Sequence, residues 1–126
     1  MGEKISTFSD VKVYGEALTL QQDVFSLSRA FPAEERYALT DQIRRSSRSI
    51  GASIAEAWHK RLYPPHFVSK LSDADGEQGE TLHWLRTSLL CGYLKAEQHT
   101  RLADSCHRIG RMLGKMMSDP EKWCSG

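Results

Sequence analysis

The sequence has little excess charge and lacks the long apolar segments of secreted or membrane proteins. Its 126 residues include 17 basic and 16 acidic side chains, a formal net charge of +1, which gives no global attraction to nucleic acid or acidic membranes. No run approaches the roughly 20 apolar residues of a membrane span, and the start "MGEKISTFSD" lacks a signal-peptide core. We therefore expect a cytoplasmic protein without a membrane partner, in which any nucleic-acid binding depends on a local patch.

Cysteine is scarce, and the common catalytic motifs are missing. The cysteines Cys91, Cys106 and Cys124 are odd in number and lack metal-ligand spacing, so we expect reduced thiols. Serines are plentiful, but the sequence has neither a Gly-x-Ser-x-Gly nucleophile elbow nor a glycine-rich phosphate loop. These absences favour a protein that is not an enzyme and that holds no cofactor.

What the sequence does contain is helical periodicity, with almost no alternation of the kind that strands show. Apolar positions predict helices at 10–31, 40–62, 65–94 and 96–117, followed by a short tail at 118–126. Prolines at Pro32, Pro64 and Pro120 punctuate the connections. Four amphipathic helices with short connections predict an all-α fold, a single-domain antiparallel up-down four-helix bundle over 1–126.

Two features of the helices point to a homo-oligomer. Helix 1 carries an apolar stripe through Tyr14, Ala17 and Phe25 and a second stripe beside it, which indicates either a wide core or a second partner. Helix 2 is made mostly of Ser, Gly and Ala between Ser46 and Ala57, so another helix can approach it closely. The candidate oligomer-interface residues are the second stripe, two outward alanines of helix 2 and an off-core tryptophan of helix 3: Val13, Leu20, Leu27, Ala52, Ala55 and Trp84.

Basic side chains are organised on two helices. The helix 4 stripe comprises Arg101, Arg108 and Lys115, spaced by seven residues, with Arg111 beside them. The helix 2 arginines are Arg44, Arg45 and Arg48. Either the helix 2 arginines pair with the acids of helix 3 between Asp73 and Glu80, within or between subunits, or one basic stripe tracks nucleic-acid phosphates. The helix 4 stripe is the better nucleic-acid candidate, because Glu97 and Asp104 dilute it only partly.

Two Glu-x-x-His motifs raise the alternative of a di-metal enzyme. They are Glu56 with His59 and Glu80 with His83. Di-iron bundles use two such motifs and two further glutamates, all facing inward. At 100° per residue both motifs face away from the apolar stripes of their helices, and helices 1 and 4 lack inward glutamates. We therefore predict no metal site.

The segment "FPAEERYALTDQIRRSSRSIGASIAEA" resembles the signature of the 23S rRNA intervening-sequence proteins, also called four-helix bundle proteins. The matching residues are Phe31, Pro32, Glu35, Tyr37, Leu39, Gln42, Arg45, Ser49, Ile50, Ile54, Ala55 and Glu56, with Phe67, Leu71, Ala74, Gly76, Glu80, Leu85 and the stretch Gly92–Leu94 downstream. Ser46, Ser53 and Ala57 depart from the usual Ala, Asn and Gly, so the chain resembles a divergent member.

The resemblance implies up-down bundles that assemble into ring-like homopentamers. It also implies a relation to the accessory variability proteins of diversity-generating retroelements, which bind nucleic acid and a reverse transcriptase through a strongly basic ring. The near-neutral charge of this chain makes RNA or DNA binding the alternative. The leading expectation is a non-catalytic homo-oligomer, a pentamer by resemblance, that acts as a binding or assembly module for a protein partner or for its own copies.

Overall fold

The computed structural model describes residues 5–124, and within that range the chain is helical without any strand. The helices are α1 (Lys12–Ser28), α2 (Leu39–His59), α3 (Pro64–Leu90), α4 (Ala96–Ser118) and the short α5 (Glu121–Cys124), with 3-10 turns at Phe8–Asp10 and Ala33–Glu35. Each long helix packs against the next, and α4 returns to α1. The all-α, up-down four-helix bundle predicted from the sequence is confirmed. The first four residues of the predicted domain and the last two of its tail lie outside the described range.

The helix boundaries follow from local chemistry. α3 begins at Pro64, a first-turn position where the missing backbone N–H costs nothing. It ends at Leu90, four residues before the predicted end at Leu94, because Gly92 adopts a left-handed φ of 79°. The N–H of Gly92 bonds the carbonyl of Leu89, and that of Tyr93 bonds the carbonyl of Ser88 at 2.9 Å. This paired closure turns the chain towards α4.

Both apolar stripes of α1 are used inside a single chain, because the helix lies between α2 and α4. Val13 and Leu20 are each 1% exposed and belong to the core. Their prediction as oligomer-interface residues is therefore wrong, since neither leaves surface for a second copy. The wide apolar arc that suggested a second partner reflects two neighbouring helices of the same bundle.

α2 comes close to its neighbours through small side chains. Ser46, Ser47 and Gly51 are all buried. The Thr81 hydroxyl of α3 donates a 2.9 Å hydrogen bond to the Ser46 hydroxyl. On the other side of α2, a Cβ on Gly51 would lie 3.6 Å from Tyr14 of α1, an ordinary contact distance that shows how near the two helices lie. None of the helices within 5–124 is long and apolar enough to cross a membrane.

Candidate binding surfaces

Two of the four basic residues in the helix 4 stripe form ion pairs with acids of α1. Arg101 contacts Asp23 at 3.2 Å, and Arg108 contacts both carboxylate oxygens of Glu16 at 3.2 and 3.3 Å. The partners of both arginines are acids of α1, a pairing that the sequence analysis did not consider. Glu16 and Asp23 are spaced by seven residues, as are the two arginines, and this matching spacing on two antiparallel helices is the signal that could have found them.

The other half of the stripe is open. Arg111 and Lys115 are exposed, and neither forms an ion pair with another residue of the described chain. Lys115 also borders a cavity between the start of α1 and the end of α4. Any phosphate contact made by α4 would therefore fall to these two cations.

On α2, Arg45 pairs with acids of α3, as one of the two sequence-based alternatives stated. Its guanidinium contacts Glu77 at 3.1 Å and also Glu80. The hydrogen bond with Glu80 raises the pKa of Arg45. The pKa of Glu80 is lowered, first by the hydrogen bond from the Trp84 indole at 3.0 Å and then by Arg45. The pair forms within one chain.

The other two helix 2 arginines lie over an aromatic ring of α1. The guanidinium carbons of Arg44 and Arg48 lie 4.9 and 5.7 Å from the Phe25 ring centroid, a cation–π arrangement. Arg44 also donates a 2.8 Å hydrogen bond to Ser28. All three helix 2 arginines therefore have partners inside their own chain.

A shallow groove runs along the outer side of α2 and α3. We call it the α2–α3 groove, and its volume is about 460 Å³. It is lined by Ser49, Ser53, Ser72, Asp73, Gly76 and Glu77. The groove is therefore built mainly from side chains that fill little volume.

Two ion-pair clusters flank the α2–α3 groove. Arg45 with its two glutamates forms the first. In the second, the Lys70 ammonium contacts Glu56 at 3.0 Å and Asp73 at 3.5 Å. Glu56, named first among the causes, raises the pKa of Lys70. The clusters engage the acidic side chains around the groove and leave Ser72 and Gly76 exposed, while Ser49 and Ser53 are half-buried.

The remaining interface candidates are distributed unevenly. Ala52 is exposed and Ala55 half-buried on α2. Leu27 and Trp84 are partly buried and pack against the core of their own chain. Of the candidate interface residues, only Ala52 and Ala55 therefore remain available to contact a second copy.

The Glu-x-x-His motifs are taken up by other contacts. Glu56 pairs with Lys70, and Glu80 pairs with Arg45. The His59 ring lies against Phe8 with centroids 5.9 Å apart, and His83 lies 4.7 Å from Trp84. No group of three or more His, Cys, Asp or Glu side chains within 5–124 is arranged to hold a metal ion.

Two side chains that could act as nucleophiles, Cys106 and Tyr93, have strongly raised pKa values. Cys106 is buried, and burial raises the pKa of its thiol to about 12, so little nucleophilic thiolate exists near neutral pH. Tyr93 donates a 2.9 Å hydrogen bond to Glu35, which raises the pKa of its hydroxyl to about 12. That bond ties the α3–α4 connection to the Ala33–Glu35 turn, a structural role that the sequence analysis missed.

The family model described as 23S rRNA-intervening sequence protein matches residues 9–115. The chain belongs to this family. The resemblance inferred from the segment beginning at Phe31 is thus confirmed, and it covers all four long helices of this intervening-sequence protein except the last residues of α4.

Among solved structures, a bacterial protein is similar to this intervening-sequence protein over most of its length. It is a protein of unknown function from the S23 ribosomal protein family of Bacteroides thetaiotaomicron, with a TM-score of 0.76 and 27% sequence identity. The match covers 83% of this chain and 97% of that chain. No curated protein matches. Family and neighbour together establish the bundle and leave its activity to be argued from the surfaces.

Proposed function

We propose that this intervening-sequence protein is a non-catalytic, homo-oligomeric assembly module whose copies meet at the α2–α3 groove. The carrying observation is the pair of exposed glycines in the middle of α3, Gly76 and Gly79. A Cβ added to either would meet no described atom within 4 Å. Each glycine costs about 1 kcal/mol relative to alanine in an exposed helix interior, so packing within the chain gives no reason for them.

A helix from a second copy would supply such a reason. Small side chains let helix backbones approach closely, as Gly51 does inside this bundle. The groove has similarly small residues on the outer surface of the bundle, where Ser49 and Ser53 of α2 lie across from Gly76 of α3. Ala52 and Ala55 continue the smooth surface along α2.

The neighbouring charges also suit a contact between copies. Each of the two clusters flanking the groove joins one cation to two carboxylates, so each keeps a net charge of −1. A basic helix face of a second copy would therefore complement the groove. A contact between two different faces of one chain closes into a ring when the rotation permits. We propose a ring of this kind, with five copies as the family resemblance implies.

Light scattering after size exclusion tests the proposal with two matched substitutions. Gly76→Gln places a bulky neutral side chain in the groove, and Gly114→Gln makes the same change at an exposed glycine of α4, which also has open space. Both variants gain helix propensity, so neither should lose the fold. We expect a multi-chain mass for the native protein and for Gly114→Gln at micromolar concentration, and a shift towards monomer for Gly76→Gln. A monomeric native protein would contradict the proposal.

Nucleic-acid binding is the second candidate function, favoured by the unpaired Arg111 and Lys115 of α4. Each neutralised phosphate adds salt-dependent affinity. Binding to mixed-sequence RNA and DNA should therefore weaken with salt, and Arg111→Glu combined with Lys115→Glu should flatten that dependence. The double charge reversal Arg36→Glu with Arg86→Glu, at exposed positions outside α4, is the control. Absence of binding at low salt ends this candidate.

A further inference from the structure

A second concave feature lies between the start of α1 and the end of α4, apart from the α2–α3 groove. The cavity has a volume of about 570 Å³ and is enclosed by the start of α1, the end of α4 and α5. Its size falls within the range of small-molecule pockets. Part of its wall, Lys122 and Trp123, lies beyond residues 9–115 that the family model matches. The cavity therefore extends past the region of the family match and shares no lining residue with the α2–α3 groove.

The charged wall of the cavity favours an anion. Lys12, Lys115 and Lys122 line it together with a single carboxylate, Asp119. None of the three lysines forms an ion pair with another residue in the described part of the chain. α1 starts at Lys12 without a side-chain cap from any described residue, so its positive end adds to the same field.

The remaining wall is apolar and can accept a flat organic body. Val11 and Met116 are buried, while Met112 and Trp123 are half-buried and pack against the core. An indole plane and flexible thioethers suit an aromatic ring, because methionine side chains adapt to the shape that they contact. An inorganic ion alone would leave this wall unused.

We propose that the cavity binds a small organic anion with an aromatic body. The anionic group would lie among the three lysines, and the ring would pack against Trp123 and Met112. The proposal concerns a ligand of one chain and holds for a monomer as well as for an oligomer.

Isothermal titration calorimetry with phenyl phosphate tests this site. Inorganic phosphate and phenol, which each represent one part of that ligand, are titrated for comparison. We expect phenyl phosphate to bind at least tenfold more tightly than either half. Lys115→Gln should weaken binding about tenfold, the worth of one charge-assisted contact. Arg111→Gln removes the same charge from the exposed face of α4, outside the cavity wall, and should change the affinity less than about twofold by screening.

Two further variants separate the parts of the site. Trp123→Leu should weaken phenyl phosphate and leave the weak affinity for inorganic phosphate unchanged, whereas Asp119→Asn should tighten phenyl phosphate. Three results overturn the proposal: no binding heat at millimolar phenyl phosphate, equal losses in Lys115→Gln and Arg111→Gln, or inorganic phosphate binding as tightly as phenyl phosphate. Circular dichroism of each variant shows whether the helices are retained.

Discussion

The α1–α4 side of the bundle and the α2–α3 side differ in the side chains that form their contacts and cover their surfaces. Between α1 and α4, large apolar side chains such as Leu20 fill the core, and two arginine–carboxylate pairs run along the surface above them. Between α2 and α3, a buried contact joins two hydroxyls, Ser46 and Thr81. The outer surface beside that contact carries serines and exposed glycines.

The difference separates surface that is used within the chain from surface that is left open. On the α1–α4 side, two acids of α1 form ion pairs with two arginines of the helix 4 stripe. Half of the charge of that stripe is therefore neutralised within the chain. On the α2–α3 side, the charges gather in two clusters, and the smooth strip flanked by them has no partner in the described chain. This contrast is why we place assembly on the α2–α3 groove.

The largest expected loss of stability comes from truncating a buried side chain on the α1–α4 side. Leu20 is 1% exposed, so Leu20→Ala loses buried apolar contact and leaves a cavity, which should cost about 2–5 kcal/mol. Urea denaturation followed by circular dichroism measures this loss. Leu18→Ala on the same helix is the control, because Leu18 is 37% exposed and should cost about 1 kcal/mol or less.

The opposite result would restore the original interpretation of the second stripe. If Leu20→Ala left the free energy of unfolding intact and instead lowered the mass of the oligomer, Leu20 would face a second copy. The comparison of the two sides would then fail.

A smaller effect is expected from filling the α2–α3 side. Ser46 is fully buried against Thr81, so Ser46→Leu forces extra volume into a close helix contact and should cost about 1–3 kcal/mol. In this variant the single Thr81 hydroxyl proton can be donated to the carbonyl of Glu77 instead, so the loss measures overpacking. Ser26→Leu, at an exposed site of α1, should stay within about 0.5 kcal/mol. Equal losses in the two variants would mean that the α2–α3 contact is not close.

Sequence periodicity predicted the fold well because the strongest signals are local. Three of the four predicted helix starts fall within one residue of those in the structure, since prolines and apolar spacing act over a single turn. The end of α3 was placed too late because a left-handed Gly92 stops a helix without any change in apolar pattern. The family segment beginning at Phe31 was recognisable for the same reason, as a continuous local pattern.

The candidate sites were harder to predict because they depend on which helices become neighbours. The positions of apolar residues in one helix do not show whether a second stripe faces another helix of the same chain or a second copy. In this bundle α1 faces two helices of its own chain. The partners of Arg101 and Arg108 required the register between α1 and α4, which only the matched spacing of Glu16 and Asp23 hinted at. The cavity needed α5, a helix of four residues that the sequence showed only as a tail.

The smallest expected effect sharpens the comparison through pH. Glu80 holds Arg45 beside the α2–α3 groove, and its pKa is lowered from an ordinary 4.5 by Trp84 and then Arg45. A carboxylate with a lowered native pKa contributes stability above its unfolded pKa, and loses it as pH falls through the lower native value. At pH 7 Glu80→Gln should therefore cost about 0.2–1 kcal/mol, as expected for a partly exposed pair.

Denaturation curves between pH 7 and pH 3 provide the measurement for this pair. The difference between native protein and Glu80→Gln should shrink below pH 4.5. Asp104→Asn, an exposed acid of α4 that forms no ion pair within the described chain, should show little difference at any pH. A Glu80→Gln loss that persists unchanged at pH 3 would mean that shape and the Trp84 hydrogen bond, rather than carboxylate charge, hold this edge of the groove. The two sides would then differ in charge as well as in packing, because ion pairs would stabilise only the α1–α4 side.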